Sequence, residues 1–278
     1  MVRRSVELSL RCALAVCVFL LPVIPHAVWA QQAEPEKQSR DPHEVQPERP
    51  TVATHAGTVA PGWVELEVGG EWDSYTDGSR VLSFPANVKI GLSPRAQLNI
   101  LATGFRETTA DPTGRGVGDV TLGLKYRLID DGAVVGDFAI LPAIKLPTAS
   151  SARGLGTGTT DVSLLLISSH SFGPVDVDIN VGVTRRSGDG ANAPKTSSLW
   201  TVSAGAPIAG GLGWTGEVFG YPGTEGPAGT KPIVAILTGP TYQVVKWLAT
   251  DAGVIEPLTG PQPRALYAGL VWNIGKLR

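Results

Sequence analysis

Polar and apolar residues alternate regularly along most of the chain. In the stretch DVTLGLKYRL, residues 119–128, Asp119 and Lys125 share one set of alternate positions, whereas Leu122 and Leu124 share the other. A period of two places each set on its own face of a β-strand. The same pattern predicts twelve long strands in all, over residues 62–72, 82–92, 95–105, 117–128, 134–146, 159–170, 174–185, 198–208, 211–221, 231–243, 246–256 and 264–275.

The connections between these segments also alternate, with six long ones and five short ones. Short turns at one end and long loops at the other are typical of outer-membrane barrels. Segments of this length suit tilted strands that cross a bilayer, which need about nine to eleven residues. The sequence therefore predicts an all-β fold, a closed antiparallel up-and-down transmembrane β-barrel of about 12 strands, with short periplasmic turns, long extracellular loops and its apolar faces toward lipid.

The first 57 residues do not follow the alternating pattern. Arg3 and Arg4 precede an apolar run, and the small residues Val28 and Ala30 have signal-peptidase spacing, so residues 1–30 are predicted to be a cleaved secretory signal peptide. Residues 31–57, rich in Pro, Glu and Gln, are predicted to be a disordered periplasmic leader. The barrel is then expected over 58–278, in the cell outer membrane.

Composition excludes several classes of protein. A net charge of −2 and a charged fraction of 17% give none of the basic surplus that nucleic-acid binding requires, so no nucleic-acid partner is expected. The only cysteines, Cys12 and Cys17, lie in the predicted signal, which excludes disulfides and thiol chemistry from residues 31–278. The run IVAIL, residues 233–237, is apolar on both faces and is expected to pack against something inside the lumen.

The polar faces of the strands carry charges of both signs. The carboxylate pairs Glu65/Glu67 and Asp176/Asp178 could serve acid–base chemistry, but the nearby basic residues favour a lumen lining. Since twelve strands enclose an intermediate diameter, we expect a narrow lumen crossed by opposing charges. The predicted lumen-lining residues are Glu65, Glu67, Lys89, Asn99, Asp119, Lys125, Arg127, Asp137, Lys145, Asp161, Asp176, Asp178 and Glu217.

No catalytic or metal site is predicted. The histidines at 43, 55 and 170 do not have metal-ligand spacing. Ser168, Ser169 and Ser171 flank His170, as a lipid-facing hydrolase would require, but serine-rich turn chemistry explains them better. The expectation is therefore a protein that is not an enzyme, with no catalytic residue, no metal and no cofactor.

Every long loop carries at least one basic residue, for example Arg80 and Arg264. These residues could hold lipopolysaccharide phosphates, although ordinary solvated loop charge is the favoured interpretation. The expected partners are outer-membrane lipid and lipopolysaccharide, the outer-membrane assembly machinery and a small-molecule cargo, with the barrel acting as a monomer. The chain ends in GKLR rather than in the aromatic residue that the assembly machinery commonly recognises.

Four stretches resemble the outer-membrane barrel family of MetA-pathway-of-phenol-degradation transporters: GVGDVTLGLKYRL, LPAIKLPT, GTTDVSLLL and YAGLVWNIG. The resemblance covers most of residues 60–275 and implies passage of small compounds, often hydrophobic or aromatic, across the outer membrane. The leading hypothesis is therefore a passive channel or transporter. The alternatives are a non-transporting scaffold or surface-binding barrel that acts through its long loops, and a periplasmic lipid-binding barrel with an apolar interior.

Overall fold

The computed structural model describes residues 41–110, 112–191 and 193–277. The predicted signal peptide and residues 31–40 of the predicted leader lie outside these ranges. A single-turn 3-10 helix at Ser151–Arg153 lies in the loop after β6. The strands are β1 Trp63–Ser74, β2 Arg80–Ser93, β3 Ala96–Thr108, β4 Gly114–Gly116, β5 Val120–Gly132, β6 Gly136–Leu146, β7 Asp161–Phe172, β8 Val175–Arg186, β9 Thr196–Ala209, β10 Leu212–Tyr221, β11 Ile233–Val245, β12 Leu248–Thr259 and β13 Arg264–Lys276.

The twelve long strands form one closed antiparallel ring. Each pairs with its neighbour in sequence, β3 pairs with β5, and β1 closes the ring against β13. The three-residue strand β4 adds only a short pairing on the end of β3. The predicted transmembrane barrel of about 12 strands is thus confirmed, and closure leaves no unpaired edge facing lipid.

Alternate residues of each strand point to opposite sides of the wall. On β8, Asn180 is fully buried inside the barrel, whereas its outward neighbours Ile179 and Val181 are 41% and 53% exposed. The same outward exposure of apolar side chains recurs on the other strands, for example at Val162 and Leu266. This apolar outer belt is the surface that a hydrocarbon solvent favours, and it rules out the lipid-binding barrel with an apolar interior.

The two ends of the barrel differ as predicted. One end, which we call the turn rim, carries the short connections 94–95, 133–135, 173–174, 210–211 and 246–247. At one of these turns Gly210 and Gly211 both have positive φ, 59° and 97°, as a tight two-residue hairpin turn requires. The opposite end, the loop rim, carries the six longer connections, 75–79, 109–119, 147–160, 187–195, 222–232 and 260–263.

Residues 41–60, which we call the lumen segment, lie inside the barrel. The segment contacts β13 and the β11–β12 turn first, reaches β12 and β10, and returns along β8 and β7 to β3. Its residues Ala53, Ala56 and Val59 are at most 1% exposed. Residues 41–57 therefore differ from the predicted disordered leader. The segment has few apolar side chains to bury, but polar groups on the wall bind it instead.

The apolar run on β11 packs inside the lumen, as expected. Ala235 and Leu237 point inward and are at most 1% exposed. They belong to a buried cluster, which we call the lumen apolar cluster, and Val52 of the lumen segment packs against it. Its members are Phe219, Ala235, Leu237, Ile255, Ala265 and Tyr267.

Candidate functional site

The wall of the barrel holds the lumen segment mainly through the segment's backbone. The carboxylates of Glu65 and Glu67 accept the backbone N–H groups of Gln46 and Glu48 at 2.8 and 2.7 Å. Glu217 accepts two consecutive N–H groups, those of Val52 and Ala53, each at 2.7 Å. Hydrogen bonds to charged acceptors are about twice as strong as neutral ones, so these carboxylates are strong anchors for an extended chain.

Neutral wall side chains continue the same arrangement along the second half of the segment. Asn180 accepts the N–H of Thr54 at 2.7 Å and donates to the Thr54 carbonyl at 3.0 Å. The other two contacts are Ser169 Oγ with the N–H of Ala56 at 2.8 Å and Gln97 Oε1 with the N–H of Val59 at 2.8 Å. Because these side chains bind backbone groups, they specify an extended path more than a particular sequence.

Two fully buried lysines bind both the wall and the lumen segment. Lys89 Nζ lies 2.5 Å from Glu65 Oε1 and 2.7 Å from Glu67 Oε1, and it donates to the carbonyl of Gln46 at 2.5 Å. Lys125 forms an ion pair with Glu48 of the segment and donates to the His55 carbonyl at 2.9 Å. A buried ammonium is stable only with such partners, so removing the segment would leave Lys125 without its carboxylate.

Side chains of the lumen segment add three further anchors. Glu48 also accepts hydrogen bonds from Gln97 at 2.9 Å and from Asn99 at 3.3 Å. Arg49 forms a bidentate ion pair with Asp251, with distances of 3.2 and 3.1 Å. Val52 supplies the apolar contact to the lumen apolar cluster.

At the turn rim the segment is held by weaker, more exposed contacts. Lys246 Nζ lies 2.5 Å from Asp41, and the ammonium together with the backbone N–H of His43 lowers the pKa of the Asp41 carboxyl. The His43 ring lies 5.1 Å from the ring of Trp63 and contacts the Asn273 carbonyl at 3.1 Å. Exposed ion pairs of this kind contribute little, so this end of the segment is the easier one to detach.

A second charged group lies at the loop rim and binds a loop rather than the lumen segment. Asp119 accepts the N–H groups of Ala149 and Thr157 at 3.0 and 3.3 Å, and Lys145 Nζ lies 2.9 Å from it. Burial raises the pKa of Asp119, but the Ala149 N–H and the Lys145 ammonium outweigh burial and leave that pKa below its ordinary value. Asp161, also buried, lies 3.3 Å from Lys145. This network fixes the 147–160 loop against the inner wall.

The predicted lumen-lining residues thus fall into three groups. Those in contact with the lumen segment are Glu65, Glu67, Lys89, Asn99, Lys125 and Glu217, with Asp178 behind them as the acceptor of the Ser169 hydroxyl at 2.6 Å. Those at the loop rim are Asp119, Lys145 and Asp161. Those near the turn rim are Arg127, paired with Asp130, Asp137, which accepts the Asp131 N–H, and Asp176, which accepts the Ser171 hydroxyl.

Opposing charges do not cross the lumen in the way the sequence suggests. Lys89 and Glu65 are registered partners on the adjacent strands β2 and β1. The groups that bridge the interior belong to the lumen segment, which sequence reasoning placed in a disordered leader. Sequence reasoning missed several wall residues, among them Gln97, Ser169, Asn180, Asp251 and Asn273. Gln97 and Asn180 stand at inward positions of clearly alternating strands and could have been included.

The serine and histidine side chains near the end of β7 do not form an activated pair. Ser168 Oγ lies 3.1 Å from His170 Nε2, but the hydroxyl donates its hydrogen bond to the Val135 carbonyl at 2.7 Å. A nucleophile would instead donate to the ring nitrogen. The arrangement therefore stabilises the β5–β6 turn.

No family model and no curated relative matches the sequence. A COG4313 outer membrane channel from Pseudomonas putida F1 superposes with a TM-score of 0.61, at 13% identity over 82% of this chain and 99% of that one. The fold is shared. Two porins, NanC and KdgM, give TM-scores of 0.52 and 0.51 at 12% and 10% identity, over 75% and 76% of this chain and 98% and 99% of theirs.

Proposed function

We propose that this protein is an outer-membrane channel for the passive passage of small compounds, hydrophobic and aromatic ones among them, and that the lumen segment is its removable closure. The observation that carries the proposal is the lumen apolar cluster on β10–β13, which is larger than the second buried apolar contact of Ala56 with Ala139 and Ile167 and lies among buried charged, amide and hydroxyl side chains. The shared fold with an outer membrane channel and two porins supports a membrane pore.

The lumen apolar cluster supports the proposed class of cargo. Phe219, Leu237 and Tyr267 together offer aromatic and aliphatic contacts, and Val52 covers them in this state. Withdrawal of the lumen segment would expose this surface to the lumen, where an apolar or aromatic solute could replace Val52. Such a solute gains about 25 cal/mol for each Å² of apolar area removed from water.

The lumen segment supports a closure that can be removed without unfolding the barrel. Its contacts are side-chain and backbone hydrogen bonds to the inner wall, whereas the hydrogen bonds that close the ring run between strands. Its outer end is held at the turn rim by the exposed Asp41–Lys246 pair. Detachment could therefore start at that end and proceed inward.

A disulfide lock tests this function directly. Ser169 Oγ lies 2.8 Å from the Ala56 nitrogen, so the paired substitutions Ala56→Cys and Ser169→Cys should bring two thiols within bonding reach. Solute flux into proteoliposomes would be measured with a small aromatic solute, before and after reduction. We expect the oxidised protein to be closed and the reduced protein to conduct, with each single-cysteine variant indifferent to reductant.

The filled turn-side half of the lumen also favours a second candidate, the non-transporting scaffold that acts through its loops. The same experiment separates the two functions. An absence of flux in both oxidised and reduced protein, with the lock verified by mass, would overturn the channel and favour the scaffold. Equal flux in both states would overturn the closure and show a path beside the lumen segment.

A further inference from the structure

One contact of the lumen segment has the form of a built receptor site. Gly69 on β1 and Gly269 on β13 are registered partners, and Gly269 is in turn registered with Asp251 on β12. The three residues therefore form one row across three adjacent strands. We call this row the guanidinium slot, because the guanidinium of Arg49 lies in it and binds Asp251 with two hydrogen bonds.

The slot fits a planar group because the two wall residues beneath the guanidinium are glycines, which have no side chain. A methyl group on Gly269 would lie 2.5 Å from Arg49 Nε, and one on Gly69 would overlap the same guanidinium. With glycine at both positions the flat cation lies against the paired backbones, and a methyl group at either one would push it away from the wall. The carboxylate of Asp251, 4% exposed at its side chain, then receives the two parallel N–H groups that a planar fork offers.

The slot is a property of the wall, whereas its occupant belongs to the detachable segment. When the segment leaves, Asp251 stays on the wall but loses the guanidinium that is its counter-ion, so its carboxylate becomes available to another cation in the lumen. We propose that the slot is a binding site for small planar cations that carry a guanidinium or amidinium group, that it is vacated when the lumen segment withdraws, and that such ligands hold the channel open.

The direction of the effect follows from linkage. A ligand that binds only the state with an empty slot stabilises that state by a free energy that grows with the ligand concentration relative to its Kd for the slot. Guanidinium compounds compete with Arg49, which is tethered at a high local concentration, so millimolar ligand is needed. The effect on opening rests on the proposed removable closure, but binding to an emptied slot does not.

Binding is tested on the full-length Arg49→Ala variant in detergent micelles. The probe is methylguanidinium, followed by saturation-transfer difference NMR, with N-methylurea as the neutral planar control and methylammonium as the non-planar cation. We expect signal for methylguanidinium alone, and its loss to the level of N-methylurea when Asp251→Asn or Gly269→Ala is added. Gly205→Ala is the matched control, since a methyl group there would lie in ordinary van der Waals contact, 3.5 Å from Thr215 Oγ1.

Two results would overturn the site. One is an equal signal from methylguanidinium and methylammonium, which would indicate charge attraction without a slot. The other is an unchanged methylguanidinium signal after Asp251→Asn, with the variant shown to be folded by its heat-dependent electrophoretic shift. Neither readout depends on conductance, so a barrel that passes no solute can still contain the slot.

Opening is tested separately by single-channel recording of the unmodified protein. We expect methylguanidinium at 1–20 mM, an order-of-magnitude range for a competitor of a tethered group, to raise the open probability several-fold, while N-methylurea does not. Binding to the Arg49→Ala protein without any rise in open probability would retain the slot and overturn its role in opening.

Discussion

The two ends of the lumen hold chain segments that are attached to the wall in different ways. Next to the turn rim, wall carboxylates bind the backbone of a segment that belongs to no strand-to-strand connection, as Glu65 does with Gln46. Next to the loop rim, wall charges bind a loop that joins adjacent strands, as Asp119 and Lys145 do with the 147–160 loop. The lumen segment can leave as a unit, whereas the 147–160 loop is tied to the wall at both ends.

The difference teaches where a change of state should occur. The lumen segment has one end in β1 and its other end at the exposed Asp41–Lys246 pair, so it can peel away from the wall step by step. The 147–160 loop can only shift locally, since β6 and β7 hold both of its ends within the ring. Substitutions on the turn side should therefore change occupancy of the lumen, and those on the loop side should change only local order.

The largest effect is expected for Glu48→Ala, which removes the carboxylate that Lys125, Gln97 and Asn99 share. Removing one partner of a buried ion pair costs about 3–5 kcal/mol, and here the docked state of the lumen segment is destabilised by that amount. Hydrogen exchange of residues 44–60, followed by mass spectrometry, should lose its protection. Glu225→Ala, an exposed loop carboxylate, is the control, and retained protection in Glu48→Ala would contradict the prediction.

A smaller effect is expected for Glu217→Gln. In the unsubstituted protein, two backbone N–H groups and the Thr201 hydroxyl donate to this carboxylate. The glutamine amide has one acceptor oxygen, and its NH2 group would face donors that the carboxylate now accepts. The loss should be about 2 kcal/mol, or about thirtyfold faster exchange at Val52 and Ala53. Glu256→Gln, which alters only an exposed pair with Arg264, should leave these two amides unchanged. Equal exchange in the two variants would refute the anchor.

At the loop rim, Asp119→Asn should loosen the 147–160 loop by about 1 kcal/mol after solvent screening. Because the pKa of Asp119 is lowered in the folded protein, its stabilising effect is complete above the ordinary carboxyl range and is lost as pH falls through the lowered pKa. The protection factors of Ala149 and Thr157, which correct for the intrinsic pH dependence of exchange, should therefore be the same at about pH 7.5 and 5.5 and fall only below about pH 4.

Asp189→Asn, in the neighbouring 187–195 loop, serves as the control for this prediction, since Asp189 accepts only the local N–H of Ala191 among the contacts of the described residues. An Asp119→Asn loop that still gains protection between acid and neutral pH would show that another group holds it. Asp119→Asn should leave the exchange protection of residues 44–60 unchanged. This result would show that the 147–160 loop and the lumen segment are held independently.

The smallest effect is expected for Val52→Ala, which removes two methyl groups from a partly buried contact with the lumen apolar cluster. The docked state of the lumen segment should lose about 1 kcal/mol, seen as a several-fold rise in open probability. Val134→Ala, at a residue that is 87% exposed in a turn, is the matched control. An effect as large as that of Glu48→Ala would mean that apolar packing, and not charge, holds the segment.

The wall of the barrel could be predicted from the sequence because each strand contributes one lipid face and one lumen face. Ile179 and Asn180 illustrate this rule, and the inward positions of Glu65, Lys89 and Lys125 follow from it. The lumen segment could not be predicted, since many of its contacts are made by backbone N–H groups, as at Val52, Ala53 and Thr54, and its few side-chain anchors, such as Glu48, follow no strand or helix period. Its low apolar content therefore indicated disorder.

Because Asp41 and Trp63 both lie at the turn rim, the lumen segment forms a loop that begins and ends on the same side of the membrane. No part of it has to be threaded through the ring. The strands can thus complete their hydrogen-bonded circle around a water-filled interior, with Lys89 and Lys125 still hydrated, and the segment can fold in from the turn side afterwards. The wall can therefore be complete before the segment docks, and the segment can dock or leave without any strand of the ring separating from its neighbours.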